Sequence, residues 1–237
     1  MKGREQTGMN GKDKKIVVVR GGGDLASGTI WKLHRCGYKV LVLEINAPSA
    51  IRRNVAFSEA MYDGESKVEG IVCKKADNLE QAEVVWKEGN VPILEDSDGS
   101  LIEKLRPFAV VDAILAKKNI GTSKSMAPVT IALGPGFTAG IDVDAVIETK
   151  RGHNLGRIYY QGSAAPNTGI PGIIAGYGKE RVIHSPADGV FHQIRGIGCC
   201  VKKGEKIAEV GEEPVLASLD GILRGIIRDG YQVKKGM

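Results

Sequence analysis

The stretch Ile16-Val17-Val18-Val19-Arg20-Gly21-Gly22-Gly23-Asp24-Leu25-Ala26 decides the fold class. Four apolar residues in a row read as a buried strand, and the three glycines that follow read as a tight turn. Leu25, Ile30 and Leu33 then recur at helical spacing, and Gly37 stops the helix. Val40–Leu43 reads as a second strand that ends at Glu44. Strand, glycine turn, helix and strand in this order make a βαβ unit, and such units imply a mainly parallel sheet.

The alternation continues downstream. Val68–Val72 reads as a third strand and Val91–Leu94 as a fourth. Between them Leu79–Lys87 is helical, with Asn78 as its cap and Gly89 as its stop. Leu101–Leu105 reads as a further helix, and Phe108–Val111 as a fifth strand ending at Asp112. The expected architecture is α/β, with a Rossmann-like nucleotide-binding domain over residues 15–118. From there the pattern changes. Val129–Leu133, Val143–Glu148 and Gly156–Tyr160 read as strands with no clear helix between them, so residues 119–180 form a β-rich middle segment.

The last part carries an internal repeat at an offset of 32 residues. Asp188-Gly189-Val190-Phe191 returns as Asp220-Gly221-Ile222-Leu223, and Val201-Lys202-Lys203-Gly204 returns as Val233-Lys234-Lys235-Gly236. Two similar β units packing their apolar faces together are the physical reading. Residues 181–237 resemble the biotinyl/lipoyl carrier fold, a flattened barrel of two related halves. The first copy continues as Glu205–Val210 and the second stops at Met237, so a barrel truncated at its carboxyl end is expected. Carriers hold their modified lysine on the turn between the halves. Here that turn is Gly211-Glu212-Glu213-Pro214-Val215, with no amine to form the amide link, so biotin or lipoate attachment is not expected.

Composition bounds the function. The 237 residues are 42% hydrophobic and 26% charged, which suits a globular protein rather than a disordered one. No apolar run approaches the roughly 18 residues of a membrane span. The polar start, MKGREQTGMNGKDKK, has no apolar core of a secretory signal. The net charge is +5, and residues 1–15 supply +3 of it, so the bulk is nearly neutral and residues 1–14 read as a basic flexible tail. With aromatics at 5%, nucleic-acid binding is not expected. Cys36, Cys73, Cys199 and Cys200 form no C-x-x-C pair, and free thiols in a reducing cytoplasm are the expectation.

Several residue groups could carry chemistry. Gly21-Gly22-Gly23-Asp24-Leu25-Ala26 fits G-x-G-x-x-A between a strand and a helix, with Glu44 ending the next strand. In a dinucleotide site such glycines let the backbone approach a pyrophosphate, helix amides donate to it, and the carboxylate accepts from a ribose hydroxyl. A plain glycine turn closing a βα unit is the alternative. Asp24 would repel phosphate unless turned outward. Glu44 favours NAD over NADP, and Arg52-Arg53 would reverse that. Arg52 and Arg53 have the planar donor forks that suit a phosphate or pterin phosphate. Gly134 and Gly136 follow a strand and could expose amides to an anion. Asp112, at a strand's carboxyl end and followed by Lys117 and Lys118, is the first candidate for proton transfer, with Lys117 as its partner. Asp142, Asp144, Glu148, Arg151 and His153 make a dense polar stretch without the spacing of a zinc site, and no metal is expected.

A broader resemblance joins these pieces. RGGGDLAS (20–27), LEINAPSAIRRNVAFSEAMYDG (43–64), VDAILAKKN (111–119), APVTIALGPGFTAGIDVDAVIETKRGHN (127–154) and PNTGIPG (166–172), with the C-terminal repeat, resemble the YqeB-like accessory proteins of selenium-dependent molybdenum hydroxylases. The resemblance implies a maturation factor that helps place selenium on the molybdenum centre of a purine- or xanthine-type hydroxylase. It implies the hydroxylase as partner, along with other selenium-delivery proteins and further copies of the chain, and the molybdenum cofactor or a nucleotide as ligand. It does not imply that Cys199-Cys200 carries selenium, because the family tends to have a polar turn there. A NAD(P)-dependent oxidoreductase and a non-catalytic assembly scaffold are the competing readings.

Overall fold

A computed structural model describes residues 15–237; the basic tail expected over 1–14 lies outside them. The chain divides into two units. One runs to Pro48 and resumes over Ala56–Ala165, and the other combines Ser49–Val55 with Pro166–Met237.

The first unit is a mixed α/β unit built on one nine-stranded sheet. Its strands are β1 (Ile16–Arg20), β2 (Lys39–Glu44), β3 (Glu65–Val68), β4 (Ile71–Lys75), β5 (Val91–Glu95), β6 (Ala109–Asp112), β7 (Val129–Leu133), β8 (Ala145–Ile147) and β9 (Ile158–Tyr159). The spatial order is β3-β4-β5-β2-β1-β6-β7-β8-β9. All neighbours run parallel except the outer pairs β3/β4 and β8/β9. The helices are α1 (Asp24–Arg35), α2 (Ala60–Asp63), α3 (Leu79–Lys87) and α4 (Ser100–Leu105).

The continuous apolar runs of β1 and β2 follow from burial on both faces. Val17, Val19, Val40 and Val42 pack with Ala26 and Ile30 of α1. Val18, Leu41 and Leu43 point the other way and pack with Ala82 of α3 and Ile102 of α4. Asn78 caps α3 as expected, its side chain accepting the Gln81 N–H at 2.9 Å.

Two sequence expectations differ here. Val68–Val72 is not one strand: Glu69 (φ 48°) and Gly70 (φ 85°) make a two-residue turn, and β3 and β4 pair as a hairpin. The strands of the middle segment do not stand apart. β7, β8 and β9 extend the same sheet from β6, and loops rather than helices cover them. Phe137, Ala139 and Ala164 come from those loops and pack with Ala132, Val143 and Val146.

The second unit contains β10 (Gly189–Gln193), β11 (Cys200–Val201), β12 (Lys206–Val210), β13 (Glu213–Leu216), β14 (Gly221–Ile222) and β15 (Gln232–Val233). They form a four-stranded sheet, β13-β12-β10-β15, and a two-stranded one, β11-β14. Over 181–237, where a truncated barrel is expected, the described residues form these two separate sheets and no closed barrel.

The 32-residue repeat is a reciprocal exchange of strands. Gly189 pairs with Val233, and its counterpart Gly221 pairs with Val201. Asp188 Oδ1 accepts the Lys235 N–H at 2.6 Å, and Asp220 Oδ1 accepts the Lys203 N–H at 2.8 Å. Gly230 N–H donates to Phe191 O as Gly198 N–H donates to Leu223 O, both at 2.8 Å. Each copy therefore completes the other around a core of Phe191, Val201, Ile207, Val210, Ile226 and Val233.

Candidate functional site

The carboxyl ends of β1, β2, β5, β6, β7 and β8 lie along one edge of the parallel sheet, where α/β folds place ligands. The sheet's order turns outward on either side of the β1/β6 pair, which makes that pair its switch point. Most of the candidate residues gather along this edge: the 21–23 loop, Glu44, Asp112, Gly134 and Gly136.

The first two glycines are dictated by the chain's own backbone. Gly21 adopts φ 94°, and a Cβ there would lie 3.0 Å from Ala113 O and from the backbone of Ile114. Gly22 faces Ser58: a Cβ would sit 3.0 Å from Ser58 N, and Gly22 O accepts the Ser58 N–H at 2.8 Å. Ser27 Oγ supports the turn from inside the helix, 2.9 Å from Gly23 O, and accepts the Phe57 N–H at 2.9 Å. The 57–58 backbone thus occupies the space that close approach at Gly22 opens.

Glu44 turns into this loop. Its Oε2 accepts the Gly22 N–H at 2.7 Å and its Oε1 the Ile45 N–H at 2.9 Å. Burial pushes its pKa up, and the bonds from Ile45 and Gly22 only partly offset that rise. Each oxygen accepts one backbone N–H, so Glu44 clamps the loop.

Gly23 is different. Among the described residues no atom beyond Gly23 and its chain neighbours lies within 4 Å of the place a Cβ would take, and no Gly23 side chain caps α1 at its amino end. Gly23 and Asp24 are partly exposed and Leu25 is exposed. The amino end of a 12-residue helix therefore opens outward from the sheet edge, with its first-turn amides and the positive end of the helix dipole. Asp24 is the acidic residue of that turn.

Asp112 is buried and hydrogen-bonded within its own chain. Oδ2 accepts the Thr122 hydroxyl at 2.6 Å and Oδ1 the Ile114 N–H at 3.2 Å. Thr122 Oγ1 in turn accepts from Arg20 Nη1 at 2.7 Å. Arg20 stands beside Asp112 in register on β1, and all three residues are about 1% exposed. Lys117 is an exposed loop residue at φ 63°, and no hydrogen bond or ion pair joins it to Asp112.

Gly134 and Gly136 are also close-packing positions. A Cβ at Gly134 would meet Thr149 Oγ1 at 2.7 Å, and one at Gly136 would meet the Lys118 backbone at 2.6 Å. Gly134 N–H donates to Ile147 O, so this amide is already spent within the sheet edge.

The acidic stretch beyond them fastens loops. Asp142 accepts the Thr138 N–H, Glu148 accepts the N–H groups of Lys150 and Ala165, and Asp144 accepts both the N–H and the hydroxyl of Thr130. Desolvation works to raise Asp144 and Glu148, but these bonds, with Lys124 beside Asp144 and the Thr149 N–H and Lys150 charge beside Glu148, outweigh it and lower both. Among the described residues no group of three His, Cys, Asp or Glu side chains could hold a metal ion. No helix of the described residues is long and apolar enough to cross a membrane.

Arg52 and Arg53 belong to the second unit. Arg53 Nε donates to Ile226 O at 3.0 Å and Nη2 to Gln193 Oε1 at 2.7 Å, so its fork is directed at its own chain. Three partners were not apparent in the sequence: Arg20, Thr122 and the 57–58 backbone. A cation ending an otherwise apolar strand was the available signal for Arg20. A cleft of about 740 Å³ lies elsewhere in the first unit, between α4 and residues 123–128, and includes Ser100, Glu103, Arg106 and Met126.

No family model matches the chain, and no solved structure matches it. Over 222 residues, 94% of its length, it is 48% identical to the uncharacterized protein YqeB of Escherichia coli (strain K12). The chain spans 41% of that relative's length. In sequence it is thus a YqeB-like chain along nearly all of its own length.

Proposed function

We propose that the chain is an accessory protein in the maturation of a selenium-dependent molybdenum hydroxylase. In this reading its α/β unit is Rossmann-like and holds a phosphate-bearing ligand, a nucleotide or the pterin of the molybdenum cofactor, at the amino end of α1. The observation that carries the ligand proposal is the open space at Gly23 beside an uncapped helix end. Gly23, Asp24 and Leu25 would hold the phosphate by backbone amides. Gly21, Gly22 and Glu44 keep the loop in shape.

The maturation role rests on the five long stretches and the repeat described above. The C-terminal unit is, in the same reading, a biotinyl/lipoyl-like pair of half-repeats with no attachment lysine, free to serve assembly. Four unbridged cysteines suit a reducing cytoplasm.

Two measurements test this. Freshly purified chain is denatured, and the supernatant is analysed by mass spectrometry for nucleotides, molybdopterin and selenium. A near-stoichiometric pterin or nucleotide is expected. In a strain lacking the protein, the partner hydroxylase should lose selenium and activity. An empty supernatant, with no saturable binding of added ligand, refutes the ligand site; a fully selenium-loaded hydroxylase in the deletion strain refutes the maturation role.

A further inference from the structure

We infer that the cleft beside α4 binds a small zwitterion of about tripeptide size, with an ammonium at one end, a carboxylate at the other and an apolar body between. The cleft comes from the connection between β6 and β7. A parallel crossover is usually completed by a helix packed on the sheet. Here residues 113–128 hold a single short helical turn, Lys124–Met126. Space is left between α4 and residues 123–128, about 740 Å³, a volume typical of small-molecule sites. Ile102 of α4 packs with Val18 and Leu41, while Ala26 and Ile30 of α1 pack with Val17 and Val19. The cleft therefore lies on the opposite face of the sheet from α1, and the inference does not depend on a ligand at the amino end of α1.

Both walls are pinned by the chain itself. Asp96 Oδ1 accepts the N–H groups of Gly99 at 2.7 Å and Ser100 at 3.1 Å, and Oδ2 accepts that of Leu101 at 2.8 Å. The start of α4 is thus held, and its first amides are already bonded. On the other side Asn119 brackets Thr122: Oδ1 accepts the Thr122 N–H at 2.9 Å and Nδ2 donates to Thr122 O at 2.8 Å. Lys124 is tied to Asp144 at 3.2 Å. A cleft whose walls are fixed in advance spares a ligand the cost of ordering them.

The lining describes the occupant. Asp98 precedes α4, Glu103 lies within it and Arg106 ends it, and all three line the cleft. Arg106 leaves the helical path at φ 47° and ψ 61°, a conformation that helix ends usually give to glycine. Its side chain and that of Glu103 make no hydrogen bond or ion pair among the described residues. An arginine held at a strained position without a partner of its own fits a residue kept for a ligand. Arg106 offers a carboxylate its planar donor fork, and Asp98 offers an ammonium its charge. Buried Ile102 and half-buried Met126 give the apolar floor between them. The six residues of α4 span about 9 Å. An extended tripeptide spans about 10 Å, so its two termini match the two ends of the cleft.

The test titrates the full chain, labelled with nitrogen-15, with the tripeptide Ala-Leu-Ala, its N-acetyl form and its C-terminal amide. Saturable one-to-one shifts of the Ser100 and Met126 amides are expected, and each blocked form should bind at least about tenfold more weakly. Arg106→Gly should bind the free peptide at least about tenfold more weakly and lose the preference for acid over amide. Its melting temperature should not fall, because glycine takes this backbone conformation freely. Asp98→Asn keeps an acceptor for the Ser100 N–H and should erase the effect of N-acetylation. No saturable shift at millimolar peptide, equal binding of free and blocked peptides, or an Arg106→Gly chain that still prefers the acid overturns the inference.

Discussion

Glu44 holds Gly22 across the gap between two parallel strands, its Oε2 accepting the Gly22 N–H at 2.7 Å. The carboxylate that a dinucleotide site would offer to a ribose is here part of the loop. Glu44→Gln keeps the shape but puts an amide donor against one of two backbone donors. A loss of about 1–3 kcal/mol is expected from the denaturant midpoint. The pH dependence has a definite sign. Burial raises the folded pKa of Glu44, so the folded state binds its proton more tightly than the unfolded state. That contribution is fully present below the unfolded value of about 4.3 and is lost as pH rises through the folded pKa. The gap between wild type and Glu44→Gln is therefore widest in acid and narrows toward neutrality. A gap that widens with rising pH would contradict the assignment.

Adjacent glycines should respond in opposite ways. Gly22→Ala drives a methyl to 3.0 Å from Ser58 N, against backbone that cannot yield freely. A cost of about 1–3 kcal/mol is expected by thermal or urea unfolding. Gly23 has ordinary backbone angles (φ −64°, ψ −177°) and open space around it, so Gly23→Ser adds a helix cap and gains a few tenths of a kcal/mol, roughly. Equal losses at the two positions would mean the loop is not packed as described.

Thr122 joins Arg20 to Asp112 in a buried chain of hydrogen bonds. Thr122→Val has nearly the same volume and removes a partner from both charged groups at once. It should cost about 2–3 kcal/mol. Thr122→Ser should recover most of that. Lys117 is exposed, and Lys117→Ala should stay within about 0.5 kcal/mol of wild type. If a catalytic activity is found and Lys117→Ala abolishes it at full stability, the structural role given to Asp112 is incomplete.

Thiol reactivity should separate the cysteines. Cys73 is fully buried in the sheet, and burial pushes its thiol well above the usual range. Cys36 and Cys200 are exposed. Brief alkylation of the native chain should label Cys36 and Cys200 and leave Cys73 untouched until denaturant is added. Rapid native labelling of Cys73 would show that the β4 region opens.

The parts of the fold legible in the sequence were those written in local pattern. Val17–Val19 and Val40–Leu43 are apolar without alternation because helices cover both faces of their sheet. Asn78 announced α3, and the 32-residue offset announced a two-copy unit. The hairpin at Glu69-Gly70 was hidden because its first strand, Glu65–Val68, has only one buried residue. The site was less legible, because its partners are distant in the chain. Ser58 fills the space at Gly22 from 36 positions away, and Arg20 reaches Thr122 across 102. Arg53 read as a phosphate fork, yet its donors find Ile226 O and Gln193, which only the folded second unit brings near. A motif specifies a loop's shape; what fills the loop depends on tertiary neighbours.

The central claim is that a phosphate-bearing ligand is held by the open amino end of α1, and backbone amide shifts test it most directly. The full chain, labelled with nitrogen-15, is titrated with ADP and separately with the ligand released from the purified protein. Saturable shifts of the Gly23, Asp24 and Leu25 amides are predicted, with the Gly22 amide, held by Glu44, moving least. Unmoved amides at this helix end under saturating ligand would contradict the account.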